Sequence, residues 1–127
     1  MNAPDDLRYS TDHEWLRIGD DGLVRVGVTD YAQDALGDVV YVDLPTVGAE
    51  VASGDSVAEV ESTKSVSDIY CPVDGIIVAV NEQLADAPEG MNHDPYGEGW
   101  IFEVQAAEGT DYSAFLDASA YISITEG

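Results

Sequence analysis

The sequence predicts an all-β sandwich or barrel-like fold with small helices appended in its middle and at its C-terminus. Three observations carry this expectation. Short β-branched stretches recur at close spacing, turn residues stand between them, and only two segments show helical spacing. With 127 residues and 45% hydrophobic content the chain can bury a real core, and it is expected to form one domain over 1–127.

Taken in order, Leu7 to Ile18 sets Tyr9, Trp15, Leu16 and Ile18 among polar residues and is expected as an opening strand. Gly19-Asp20-Asp21-Gly22 is a turn by composition. Leu23 to Val28 alternates as a second strand, where Gly27 marks a bulge or a close backbone approach. Thr29 suits an N-cap, Asp30 favours the positive end of a helix, Tyr31, Ala32, Ala35 and Leu36 form its stripe, and Gly37 ends it. Val39 to Leu44 returns to strand, with Val40, Val42 and Leu44 on one face, and Pro45 stops it. Cys71 to Gly75 is a turn before the strand Ile76 to Val80, and a polar stretch precedes the strand Trp100 to Val104. Tyr112, Phe115 and Leu116 are at helical spacing, and a second helical segment around Ala118 to Ile124 follows, together a C-terminal helical segment over 111–125.

The centre of the chain is VAEVESTKSVSDIY, expected as a hairpin over 57–70 with Thr63-Lys64-Ser65 at its tip. No Asn-Gly or Asp-Gly pair fixes the turn type. Lys64 is the only lysine in the sequence. A Schiff-base lysine needs an apolar pocket to lower its pKa. The neighbours Glu61, Ser62, Thr63, Ser65, Ser67 and Asp68 are polar, so an exposed acceptor for an amide-linked prosthetic arm fits better.

Charge narrows the partners. Twenty-six Asp plus Glu against four Lys plus Arg give a formal net charge of −22. This argues against nucleic acid, which needs clustered cations, and against anionic membrane surfaces. The acids are dispersed, as expected for a cell with molar internal salt, where the Debye length is about 3 Å and self-repulsion is screened. The N-terminus lacks a basic start followed by an apolar stretch, so no secretory signal is expected. The apolar run Ile76 to Val80 falls far short of the roughly 18 residues of a membrane span. A soluble, cytoplasmic monomer is the expectation.

Other motifs carry little chemistry. His13-Glu14-Trp15 opens like a zinc-protease HExxH, but Arg17 stands where the second histidine belongs. Two readings of that block remain: Trp15 anchors the core with His13 and Glu14 on the surface, or the block lies near the site. His93 has no ligand spacing and reads as ordering a loop. Cys71 reads as a small buried hydrophobe, without a histidine to make it a catalytic thiol. No metal ligands, phosphate loop or serine elbow are found.

Glu61-Ser62-Thr63-Lys64-Ser65-Val66-Ser67-Asp68 resembles the lipoylation segment of the H-protein family of the glycine cleavage system. His13-Glu14-Trp15, Gly27 to Asp30, Leu36-Gly37-Asp38-Val39-Val40-Tyr41-Val42, Pro72-Val73-Asp74-Gly75, Val80-Asn81 with Leu84, and Asp94-Pro95-Tyr96-Gly97 with Gly99-Trp100 match the same family in order. Biotin carriers usually set the lysine between methionines, and lipoyl domains of 2-oxoacid dehydrogenases typically carry Asp-Lys-Ala at the tip.

The resemblance implies a barrel-sandwich hybrid with lipoate in amide linkage to Lys64, and a non-catalytic shuttle. It implies that Glu61, Ser62, Thr63 and Ser65 are read by a lipoate ligase or a lipoyl or octanoyl transferase. It further implies transfer of the aminomethyl group of glycine from a pyridoxal-phosphate glycine decarboxylase to a tetrahydrofolate-dependent aminomethyltransferase, with reoxidation by dihydrolipoamide dehydrogenase. Glu14 and Asp68 match positions expected to supply carboxylates to an arm-holding cleft. Ala35 stands where some members carry a histidine.

Overall fold

The structure, a computed structural model, describes residues 3–126. Residues 1, 2 and 127 of the expected 1–127 unit lie outside them. The strands are β1 (Arg8–Tyr9), β2 (Glu14–Ile18), β3 (Leu23–Val28), β4 (Val39–Asp43), β5 (Glu50–Val51), β6 (Ser56–Ser62), β7 (Val66–Tyr70), β8 (Gly75–Val80) and β9 (Phe102–Ala106). The helices are α1 (Asp30–Leu36), α2 (Gln83–Asp86), α3 (Gly90–His93) and α4 (Ala118–Glu126). Two sheets form, one of six strands in the order β1-β2-β3-β9-β8-β5 and one of three in the order β4-β6-β7. Neither sheet closes on itself, and the mostly-β sandwich with short helices agrees with the expected class.

The core follows from strand alternation. Val24, Val26 and Val28 of β3, Ile77 of β8 and Phe102 and Val104 of β9 pack with Val42, Ala58, Val60 and Ile69 of the smaller sheet. Side chains one residue apart on a strand face opposite ways. Leu16 therefore joins this core, while its neighbour Trp15 joins a second cluster with Leu7, Tyr9, Ala118 and Tyr121. Helix α4 closes that second cluster, and the stacked rings of Tyr9 and Tyr121 lie 4.8 Å apart.

Several expectations change. The opening strand is two strands, because the chain turns at Ser10–His13 and His13 takes a positive φ of 66°. Val40 is not on the buried face of β4: a bulge between Val39 and Tyr41 shifts the register, burying Val39 and Val42 and leaving Val40 53% exposed. The last strand begins at Phe102, two residues later than Trp100. The residues from 111 to Leu116 form no helix, whereas the second helical segment expected around Ala118 to Ile124 is α4. Leu116 instead forms a bridge with Tyr9 at the outer edge of the six-stranded sheet. The polar stretch before β9 contains the two short helices α2 and α3.

The readings of Thr29, Gly37 and Cys71 agree with the structure. Thr29 Oγ1 accepts the Ala32 N–H at 3.2 Å, capping α1, and Gly37 ends the helix at φ 83°. Cys71 is buried, its thiol donates to the Val73 carbonyl at 3.1 Å, and burial pushes its pKa up to about 11. No helix is long and apolar enough to cross a membrane, and no cluster able to hold a metal ion occurs among the described residues.

Glu14 is the only buried carboxylate among the described residues, so the acidity lies on the surface. The ion pair Arg25–Glu103 (2.9 Å) does little to offset it. Surface repulsion between like charges weakens as salt screens it. The thermal midpoint is accordingly expected to rise from dilute buffer to about 1 M potassium chloride, and equal midpoints in the two would overturn this reading.

Candidate functional site

Strands β6 and β7 pair with Glu61 opposite Val66, and Ser62 donates its N–H to the Ser65 carbonyl at 2.8 Å. Thr63 and Lys64 are thus the two central residues of the turn. Among described non-glycine residues only His13 has positive φ, so the turn is neither of the primed types that suit two-residue hairpins. The Ser62 hydroxyl compensates by accepting the amides of Lys64 (3.2 Å) and Ser65 (3.1 Å). A further bond leaves the hairpin, from Thr63 N–H to the Asp38 carbonyl at 3.0 Å.

Lys64 is exposed, and its amine forms no hydrogen bond or ion pair among the described residues. Glu61, Thr63 and Ser65 are exposed around it, and Ser62 is half-buried under the turn.

Beyond the tip lies a cavity of about 300 Å³ between α1 and β7. Val28, Ala32, Ala35, Leu36 and Ile69 give it an aliphatic lining, while Asp12, Ser65, Ser67 and Asp68 are polar on its wall. His13 and Tyr31 also line it, their rings 4.7 Å apart. His13 Nδ1 is 2.8 Å from the Tyr121 hydroxyl, which is 2.6 Å from Thr29 Oγ1, so α4 secures this wall and the cap of α1 together. Burial lowers the pKa of His13.

The two carboxylates expected in a cleft part company. Asp68 is exposed and lines the cavity. Glu14 is only 2% exposed and borders a second cavity of about 210 Å³ with Ser10 and Cys71; Asp12 borders both. The surface reading of Glu14 does not survive, His13 is half-buried, and Trp15 is the buried anchor expected. Asp12, His13 and Tyr31 are cavity residues that strand and helix patterns did not single out as such.

Glu14 Oε2 accepts the Tyr70 N–H at 2.8 Å, and the Ser10 hydroxyl donates to Oε1 at 3.4 Å. Burial outweighs these bonds and pushes its pKa up from 4.5 to about 8. Its folded pKa being raised, Glu14 contributes stability that is complete below about 4.5 and is lost as pH rises through about 8. Across that window the folded chain holds more protons than the unfolded one, a slope on the order of 1 kcal/mol per pH unit. His13, with its lowered pKa, acts in the opposite sense, so the comparison must be with a variant. Glu14→Gln keeps an oxygen for Tyr70 and is expected to be more stable than the parent at pH 8, with a flatter pH profile of urea midpoints. Parallel profiles for the two proteins would contradict this.

The chain matches the model of the glycine cleavage H-protein family over residues 7–126. The glycine cleavage system H protein of Cronobacter sakazakii is 54% identical over 125 residues, covering 98% of this chain and 97% of that protein. That of a Psychrobacter species is 53% identical over 120 residues, covering 94% and 95%. The crystal structure of a glycine cleavage system H protein from Mycobacterium marinum superposes with a TM-score of 0.89 at 45% identity, covering 98% of this chain and 99% of that one.

Proposed function

The chain belongs to the glycine cleavage H-protein family, and from that premise we propose that it works as one lipoyl-bearing unit whose attachment residue is Lys64. The observation that carries this reading is the lysine itself. It is the only one in the sequence, it stands exposed at a two-residue tip, and a cavity of about 300 Å³ opens beside it.

The residues present fit the group. The free amine of Lys64 can form the amide, and the aliphatic lining from Val28, Ala32, Ala35, Leu36 and Ile69 suits an alkyl chain. Lipoate supplies a disulfide that opens reversibly to two thiols. Everything else falls to the protein. Asp68 and Asp12 offer carboxylates to a cationic amine at the cavity wall. Glu14 acts one step back, fixing Tyr70, two residues from Asp68, through its N–H. Glu61, Ser62, Thr63 and Ser65 form the surface that a lipoate ligase or lipoyl or octanoyl transferase reads.

As a carrier the chain moves the aminomethyl group of glycine from a glycine decarboxylase to an aminomethyltransferase, and dihydrolipoamide dehydrogenase restores the disulfide. Tethering to one protein raises the effective concentration at each docked partner, which is the advantage of a shuttle. No apolar pocket surrounds the Lys64 amine to make it a nucleophilic catalyst, which supports a non-catalytic role. We place the protein in the cytoplasm, as a monomer.

The test is the intact mass of the protein isolated from its own cells, with the adduct located by peptide mapping. A lipoyl amide on Lys64 is the expected result. A biotin mass, or an unmodified lysine in cells that lipoylate other proteins, would overturn the reading.

A further inference from the structure

Asn92, on the short helix α3, makes three hydrogen bonds to one stretch of chain. Its Oδ1 accepts the Val39 N–H at 2.9 Å, and its Nδ2 donates to the Gly37 carbonyl at 2.8 Å and to Gln33 Oε1 at 3.0 Å. One side-chain amide therefore joins the end of α1 to the start of β4. Between those anchor points lies Asp38, whose carbonyl accepts the N–H of Thr63 at 3.0 Å. Thr63 immediately precedes Lys64.

Gly37 also supports the lysine directly. A Cβ built at Gly37 would lie 3.1 Å from Lys64 Cε and 3.6 Å from Nζ, so the lysine stem rests over this glycine. Residues 37–39 form a shelf beneath the tip, and Asn92 holds the shelf. Without that amide, the Gly37 carbonyl and the Val39 N–H both lose their side-chain partner. Gly37, at φ 83°, is also the residue type least restricted in its backbone.

We propose that Asn92 is a positioning residue for Lys64, fixing through the 37–39 shelf where the amine is presented to the enzyme that attaches the arm. The proposal rests on Lys64 being the attachment lysine. In attachment from a lipoyl adenylate, the Nζ lone pair forms the bond to the acyl carbon, the acyl–phosphate bond breaks to release AMP, and the amine proton leaves to solvent. Such a step depends steeply on alignment: a displacement of about 1 Å can cost about 100-fold in rate. The hydrogen bonds of Asn92 go to Gln33, Gly37 and Val39 and not to the lysine, so its effect is transmitted through the shelf.

The test uses the full-length unmodified chain with a lipoate–protein ligase, ATP and free lipoate, followed by intact mass. Asn92→Ala and Asn92→Asp are compared with the parent; the aspartate keeps an acceptor for Val39 and loses both donors. The expected result is a drop in kcat/KM for attachment of roughly tenfold. Amide hydrogen exchange at Thr63 should speed up, while Val104 in the six-stranded sheet is unchanged. Parental attachment rates would overturn the proposal. So would a drop accompanied by equally faster exchange at Val104, which marks general loosening. If Asn92→Ala does not fold, Asn92→Asp makes the same comparison. If the parent is not modified at Lys64, the carrier reading fails first. Thr63 exchange then decides alone whether Asn92 holds the tip, and unchanged exchange would overturn it.

Discussion

Changing Lys64 to arginine is expected to take lipoyl attachment from complete to nil while leaving the fold intact. Amide formation needs a nitrogen that can lose its proton and attack an acyl carbon. A guanidinium stays protonated at any working pH and its electrons are delocalised, so arginine keeps the charge and loses the chemistry. No second lysine exists to take over. On the structural side the lysine amine has no hydrogen-bond or ion-pair partner to forfeit among the described residues, and an exposed substitution of this kind changes stability by no more than about 0.5 kcal/mol. Intact mass after incubation with a ligase reads the first effect, and urea midpoints read the second. An adduct on the arginine protein would mean that the attachment residue lies elsewhere.

The largest structural effect is expected at the contact between Trp15 and Gly27, which face each other across β2 and β3. Trp15 is fully buried, with its indole N–H donating to the Pro95 carbonyl at 2.8 Å and Arg17 over its ring at 5.5 Å. The indole lies flat against Gly27: a Cβ there would be 2.7 Å from three ring atoms. Being tethered at its nitrogen and enclosed, the ring has no room to withdraw. Trp15→Ala is expected to cost about 3–5 kcal/mol through lost burial and the cavity left behind. Gly27→Ala should cost about 1–3 kcal/mol through overpacking. The two are coupled, so Gly27→Ala made in the Trp15→Ala background should be nearly neutral, since the clash has gone. Chemical denaturation of the four proteins measures this cycle. Additive costs would show that the glycine matters for some reason other than the ring.

The same pair shows what could be read in advance. An isolated glycine in an alternating strand implies a close approach, but not which residue approaches, because the partner is set by strand register. The lysine tip was legible because alternation on both sides of a polar break is a local pattern. The cap at Thr29 and the stop at Gly37 are likewise local chemistry. Val40 faces the opposite way from the one alternation predicts because one bulged residue inverts the pattern. Helices of four residues, such as α2 and α3, are too short to show a period. Tyr112, Phe115 and Leu116 have helical spacing, but the bridge from Leu116 to Tyr9 satisfies the backbone there in another way. The cavity was hardest to foresee. Asp12, His13 and Tyr31 meet Asp68 only because the turn before β2, α1 and β7 converge, and Glu14 is drawn inward to take the Tyr70 amide.

The strand order of the larger sheet also bears on synthesis. Strand β9 lies between β3 and β8, and Tyr9 waits for Leu116, so strands made early have partners made much later. A nascent chain ending before Phe102 keeps an open edge on β3 and cannot complete its main core. The β6–β7 hairpin, whose contacts are close in sequence, is free to form much sooner. The lysine tip is therefore free to take shape before β9 exists, and any enzyme that needs the finished sandwich must wait until that strand has been made.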